Sequence, residues 1–153
     1  MRVKDLIIPG IIVGLLSDAV KLAVNYILFQ FKLAKVVFWQ ITATRFLDKE
    51  DLSKPIAYFI GAVADLTISS ALGILFVYLI YILGYKNIFI KGVGFGLMVW
   101  VLIFGTLLSQ AVQDKLPQEP SGIVVTIIAH LFFGLALAFF MWLLYGRKET
   151  IKS

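Results

Sequence analysis

The sequence predicts an all-α integral membrane protein: a four-helix bundle with an interfacial segment between its first and second helices. Three observations carry this. Of the 153 residues, 61% are hydrophobic, whereas soluble domains run at roughly 45–50%. Charged residues make up only 15% of the chain and are clumped at the ends of apolar runs. Four of those runs are long enough to cross a bilayer, which takes roughly 20 mostly apolar residues. The whole chain, residues 1–153, reads as a single transmembrane domain.

The first span covers about residues 6–29. It contains Asp18 and Lys21 and no small-residue cleavage site, so it reads as a retained helix rather than a secretory signal. The second covers about 55–83, where Ser53-Lys54-Pro55 offers a capping hydroxyl and an early proline. Gly84-Tyr85-Lys86-Asn87 forms a tight turn into the third span, about 88–112. A polar loop punctuated by Pro117 and Pro120 leads to the fourth, about 122–145, with Ser121 as its cap. Trp39, Tyr58, Tyr81, Tyr85, Trp142 and Tyr145 lie near span ends, as an aromatic belt requires.

The segment 32–52 is different. Leu33, Val36, Val37, Phe38, Trp39 and Ile41 are apolar, but the run is too short to span and turns densely charged from Arg45 to Asp51. It is expected to lie in the interface or dip partly into it.

The net charge of +5 is read as contact with anionic headgroups. No basic stripe with interleaved aromatics points to nucleic acid. Orientation is weakly signalled. Arg2, Lys4, Lys86, Lys91, Arg147, Lys148 and Lys152 fall on the side of the termini, against Lys32, Lys35, Arg45, Lys49, Lys54 and Lys115 on the other. With the acids mostly on that other side, the expectation is a multi-pass protein of the cell membrane with both termini cytoplasmic.

Each span carries small or polar residues at helical spacing, which share one face. These are Gly10, Gly14, Asp18, Lys21 and Asn25 in the first span; Ala57, Gly61, Asp65, Ser69 and Gly73 in the second. Gly92, Gly96 and Trp100 follow in the third; Thr126, His130, Gly134 and Ala138 in the fourth. Close helix packing accounts for Gly10, Gly14, Gly61, Gly92, Gly96 and Gly134. It does not account for ionisable residues in the same seams. Counted from the side of the first and third loops at 1.5 Å per residue, Asp18, Lys21, Asp65 and His130 all lie roughly 12–17 Å deep. Asn25, Ser69, Thr106, Ser109, Gln110 and Thr126 share that half of the membrane. Buried charges are unfavourable unless paired or hydrated. Asp18 and Lys21, three residues apart, are placed to pair. Asp65 needs Lys21, His130 or water. Asp18, Lys21, Asn25, Asp65, Ser69, Thr126 and His130 are therefore the candidate ligand- or proton-binding residues. A structural role, fixing helix register, is the competing reading for the charges.

Cysteine is absent, which excludes disulfides, thiolate catalysis and cysteine-bound metals. A zinc site would need His130 with Asp18 and Asp65, an unusual set, so no metal and no cofactor is implied. Gly92 to Gly96 lacks the preceding strand of a phosphate-binding loop, and Ser17 has as neighbour only Asp18, which points to another part of the helix surface, with no other base evident.

Trp39, the run Lys91-Gly92 through Gly96 to Trp100, and His130 with Gly134 together resemble small bacterial inner-membrane proteins of the YagU/YqhR-like kind. The resemblance covers about half the chain and implies a four-helix unit, without implying a mechanism. The leading functional expectation is a polar pocket, open toward the first and third loops, that binds or relays an ion, a proton or a lipid headgroup. A structural or accessory subunit is the first alternative, with the lipid bilayer and a homo-oligomer or larger membrane complex as partners. A lipid-modifying enzyme is the weaker one.

Overall fold

The computed structural model describes residues 5–146. Arg2, Lys4, Arg147, Lys148 and Lys152, counted above for orientation, lie outside them. The fold is all-α, with α1 at Ile7–Gln30, α2 at Phe38–Ala43, α3 at Pro55–Leu83, α4 at Ile88–Leu102, α5 at Ser109–Lys115 and α6 at Pro120–Met141. Four helical stretches, Ile7–Gln30, Pro55–Leu83, Ile88–Leu107 and Pro120–Tyr145, are long and apolar enough to cross a membrane.

The helix ends have local causes. Asp5 Oδ1 accepts the Ile7 N–H at 3.0 Å, and Pro9 sits in the first turn, where no intrahelical N–H is lost. At the other end of α1, Lys32 N–H reaches the Phe29 carbonyl and Leu33 N–H reaches that of Leu28, with Lys32 at φ 60°. This is a Schellman closure with lysine where glycine is usual. Gly84 (φ 76°) ends α3, and Lys91 Nζ donates to the Leu83 and Gly84 carbonyls at 3.0 and 2.8 Å.

Three boundary expectations are corrected. The residue capping α3 is Lys54, without a side-chain hydrogen bond, so the Ser53 hydroxyl does not perform that task. Helix α6 starts at Pro120, which puts Ser121 inside its first turn. The third span is not one α-helix to Val112: Ile103–Leu107 winds as a π-turn before α5 restarts at Ser109. Leu108 N–H bonds to the Ile103 carbonyl, while the Thr106 hydroxyl bonds to the Leu102 carbonyl. A glycine, with its freer backbone, and a threonine hydroxyl that takes a backbone carbonyl weaken the α pattern there.

The spatial order of the long helices is α3, α1, α6, α4. Helix α1 packs along α3 and α6, and α6 along α4, whereas the sequence neighbours α3 and α4 barely touch. Glycines set the two tightest seams. A Cβ on Gly14 would meet the Ser69 carbonyl and Gly73; one on Gly96 would meet the His130 carbonyl and Gly134. Gly10 lies on Ile74, and Gly92 and Gly134 lie on each other. Gly61 is used differently: its neighbour is the Trp39 backbone, so α2 rather than a long helix occupies that notch. The apolar core, including Val13, Phe76, Ile80, Phe95, Phe133 and Leu137, fills the half nearer the Gly84 turn. The polar residues collect in the other half.

Candidate functional site

Segment 32–52 folds back against the bundle rather than lying along it. The Phe38 N–H donates to Asn25 Oδ1 at 3.0 Å, five residues inside the end of α1 and thus about 7–8 Å deeper. Gln40 ties the segment together, accepting from Val37 N–H and donating to the Leu52 carbonyl. Phe38, Ile41, Ala43, Thr44 and Leu52 are buried. Trp39, placed in the aromatic belt by sequence, is instead half-buried against Gly61.

The inserted segment covers a charge cluster. Lys21 Nζ lies 2.6 Å from Asp18 Oδ1 and 2.5 Å from Asp65 Oδ1, so one ammonium on α1 bridges a carboxylate on its own helix and another on α3. Ser69 Oγ donates to Asp18 Oδ1 at 2.8 Å. All four residues are buried, none more than 3% exposed. Above the ammonium sits the Phe38 ring, 4.2 Å from Nζ to centroid, with Phe133 at 5.6 Å. A desolvated cation facing such rings gains about 2 kcal/mol.

The cluster is unevenly satisfied. Asp18 Oδ2 and Asp65 Oδ2 have no hydrogen-bond partner, and neither do Asn25 Nδ2 and Trp39 Nε1. The Trp39 indole lies beside Asp65 without closing a hydrogen bond. Two carboxylates against one ammonium leave one excess negative charge if all three are ionised, and buried unpaired charge is strongly unfavourable.

A cavity of about 170 Å³ borders this cluster, lined by Lys21, Asp65, Ser69 and His130 together with Phe38, Val99, Ile103 and Phe133. It is the size of a cavity that admits benzene or a few waters. His130 Nδ1 lies 2.8 Å from the Thr126 carbonyl; a carbonyl only accepts, so Nδ1 carries the proton and Nε2 is left as an acceptor. The imidazole is held between Phe38 and Phe104, centroids 5.7 and 5.6 Å away.

The seven candidate residues therefore divide. Asp18, Lys21, Asp65 and Ser69 form one bonded cluster, and His130 faces the same cavity without touching it in a hydrogen bond. Asn25 instead holds α2. Thr126 Oγ1 accepts from the Trp100 indole at 2.9 Å and donates to the Ile123 carbonyl, a bridge between α4 and α6. Ser17 donates to the Val13 carbonyl within its own helix. Asp18, Asp65 and His130 do not form a metal-holding group among the described residues. The cavity mouth lies at Arg45 and Phe46, on the side of the first loop, and between α3 and α4; the third loop does not line it.

Sequence reasoning missed Phe38, Phe104 and Phe133 as the aromatic walls and Arg45 at the mouth. A phenylalanine in an apolar run carries no mark of facing a charge, so only the pairing of Asn25 with the inserted segment had a sequence signal, and that was its polarity. Comparison with protein-family models, curated proteins and solved structures returned no match.

Proposed function

We propose that this chain is a small multi-pass membrane protein that binds or relays a small polar species inside its bundle, and that the species is a proton. The observation that supports this is the Asp18–Lys21–Asp65 bridge, in which two carboxylates share one ammonium and each keeps an unpartnered oxygen. A proton neutralises the excess charge and turns one such oxygen into a donor. His130, with an acceptor nitrogen on the same cavity, is the second station of a relay.

The test is infrared difference spectroscopy on protein in lipid as pH is changed. A protonated-carboxyl band should appear on acidification and disappear in Asp65→Asn or Asp18→Asn. Proteoliposomes enclosing a pH-sensitive dye then distinguish relay from static binding, with Asp65→Asn and His130→Phe as controls. A spectrum in which no carboxyl titrates across the physiological range contradicts the reading.

A second reading, an accessory subunit acting through helix contacts, has one observation in its favour. A side chain at Gly94 would meet nothing, and one at Gly105 would touch only the tip of Val101, so these small residues of the third span are not used inside the bundle. Close contact with another copy or another protein would use them. Cross-linking from cysteine at Gly94 separates this reading from the first.

A further inference from the structure

The bundle is open along one side. Because α3 and α4 barely meet, the cavity continues outward between them as a slot, walled by Ile68 and Leu72 on α3 and by Ile103 and Leu107 on the third span. Ile68 is 38% and Leu107 64% exposed, so the lips of the slot are apolar and face outward. At the loop end of the slot stands Arg45, exposed and without an ion pair among the described residues. Of the other cations on this side, Lys35 pairs with Glu119, Lys54 with Asp51, and Lys115 donates to the Leu47 carbonyl; Lys32 and Lys49 are exposed and do not line the slot.

We infer that the slot between α3 and the third span binds an anionic phospholipid, one acyl chain lying between the lips and the phosphate on Arg45. The shape favours a single chain over an inserted helix. A helix with side chains is about 10–12 Å across, whereas the space here is about 170 Å³, enough for part of a hydrocarbon chain. The polarity fits in register. Arg45 lies beyond the buried residues of α2, toward the loop surface, and a guanidinium pairs with phosphate oxygens in a fork geometry. The apolar walls run inward from it, as an acyl chain does. The occupant also answers a physical need, since an apolar slot leading to a charge cluster neither holds water well nor excludes loose lipid. A seated chain closes it. This inference needs Arg45 and the lips only, and stands whether or not Asp65 titrates.

The natural absence of cysteine makes the experiment direct. A bimane fluorophore on Leu107→Cys reports the slot, and one on Val63→Cys, outward on α3 and away from the slot, serves as control. Protein is titrated in micelles with brominated-chain phosphatidylglycerol or with phosphatidylcholine carrying the same chains. The slot probe should be quenched by phosphatidylglycerol at about fivefold lower mole fraction, the preference that one basic side chain at a membrane surface confers. Arg45→Gln should abolish that difference, and the Val63 probe should show none. Equal quenching by the two lipids at Leu107→Cys overturns the proposal, as does a preference that survives Arg45→Gln. Disulfide dimers of unlabelled Leu107→Cys, together with a labelled protein quenched by neither lipid, would assign the slot to a second copy and overturn it too.

Discussion

Lys21 is the residue on which the site depends. Its ammonium lies within 2.6 Å of two carboxylates, and substituting it leaves both buried without a cation. Lys21→Met is expected to destabilise the protein by about 3–5 kcal/mol, the range for breaking a buried pair from one side. Asp65→Asn in that background should recover part of the loss. A double-mutant cycle on thermal unfolding in detergent should give a coupling of about 0.5–3 kcal/mol, as for residues in one network. Strictly additive effects would mean that the contacts seen here contribute nothing to stability. A second residue-scale prediction concerns Lys32, held at φ 60°. The left-handed conformation disfavours a β-carbon by about 1–2 kcal/mol, so Lys32→Gly should raise the melting temperature. An unchanged or lower melting temperature would count against that geometry.

At the scale of elements, glycine seams and the inserted segment behave as separate devices. Between helices in lipid, attraction comes from close packing rather than from hydrophobic transfer. A leucine at Gly14 would strike the Ser69 carbonyl and Gly73, and one at Gly96 the His130 carbonyl and Gly134. Each should lower stability by about 1–3 kcal/mol or more, as overpacking does, and both also shift site residues. Gly61→Leu should act differently, displacing Trp39 and α2 while leaving the α1–α3 seam intact. Its signature is faster access of water-soluble quenchers to the Trp39 indole; wild-type access would show that α2 is not seated there. These elements differ in how legible they were. Pro55–Leu83 is bounded by a proline and a glycine, and its limits read directly from sequence. The depth of Asp18, Lys21, Asp65 and His130 follows from a fixed rise per residue, which is why counting along separate helices found them at one level. The insertion of α2 read out only as one of two alternatives, because its apolar residues suit a membrane surface and a bundle interior equally. The π-turn at Ile103–Leu107 was hidden for a related reason: one glycine and one threonine inside an apolar run are common in unbroken membrane helices.

At the scale of the molecule, the order α3, α1, α6, α4 leaves the first and last helices of the row apart, and no sequence pattern announced it. The long helices are apolar on nearly every face, so periodicity marks no inward side except where small and polar residues form seams, and a seam does not name its partner. The span count bears on sidedness. Four helices are long and apolar enough to cross, and four crossings would return the chain to its starting side, with the turn at Lys86 and the loop at Ser121 on opposite faces. Both residues are exposed, and the chain has no native cysteine to confuse labelling. Lys86→Cys and Ser121→Cys should therefore react with an impermeant maleimide from opposite sides of the membrane. The orientation proposed here, with the Lys86 turn cytoplasmic beside the termini, requires Ser121→Cys to be labelled in intact cells and Lys86→Cys only after permeabilisation. The reverse pattern would invert the protein and place the Arg45 mouth of the cavity on the cytoplasmic side. It would leave the bundle unchanged but reverse the side from which the proton proposed above would reach the Asp18–Lys21–Asp65 cluster. Labelling of both positions from one side would mean that one of the four helices does not span, and the bundle itself would have to be redrawn.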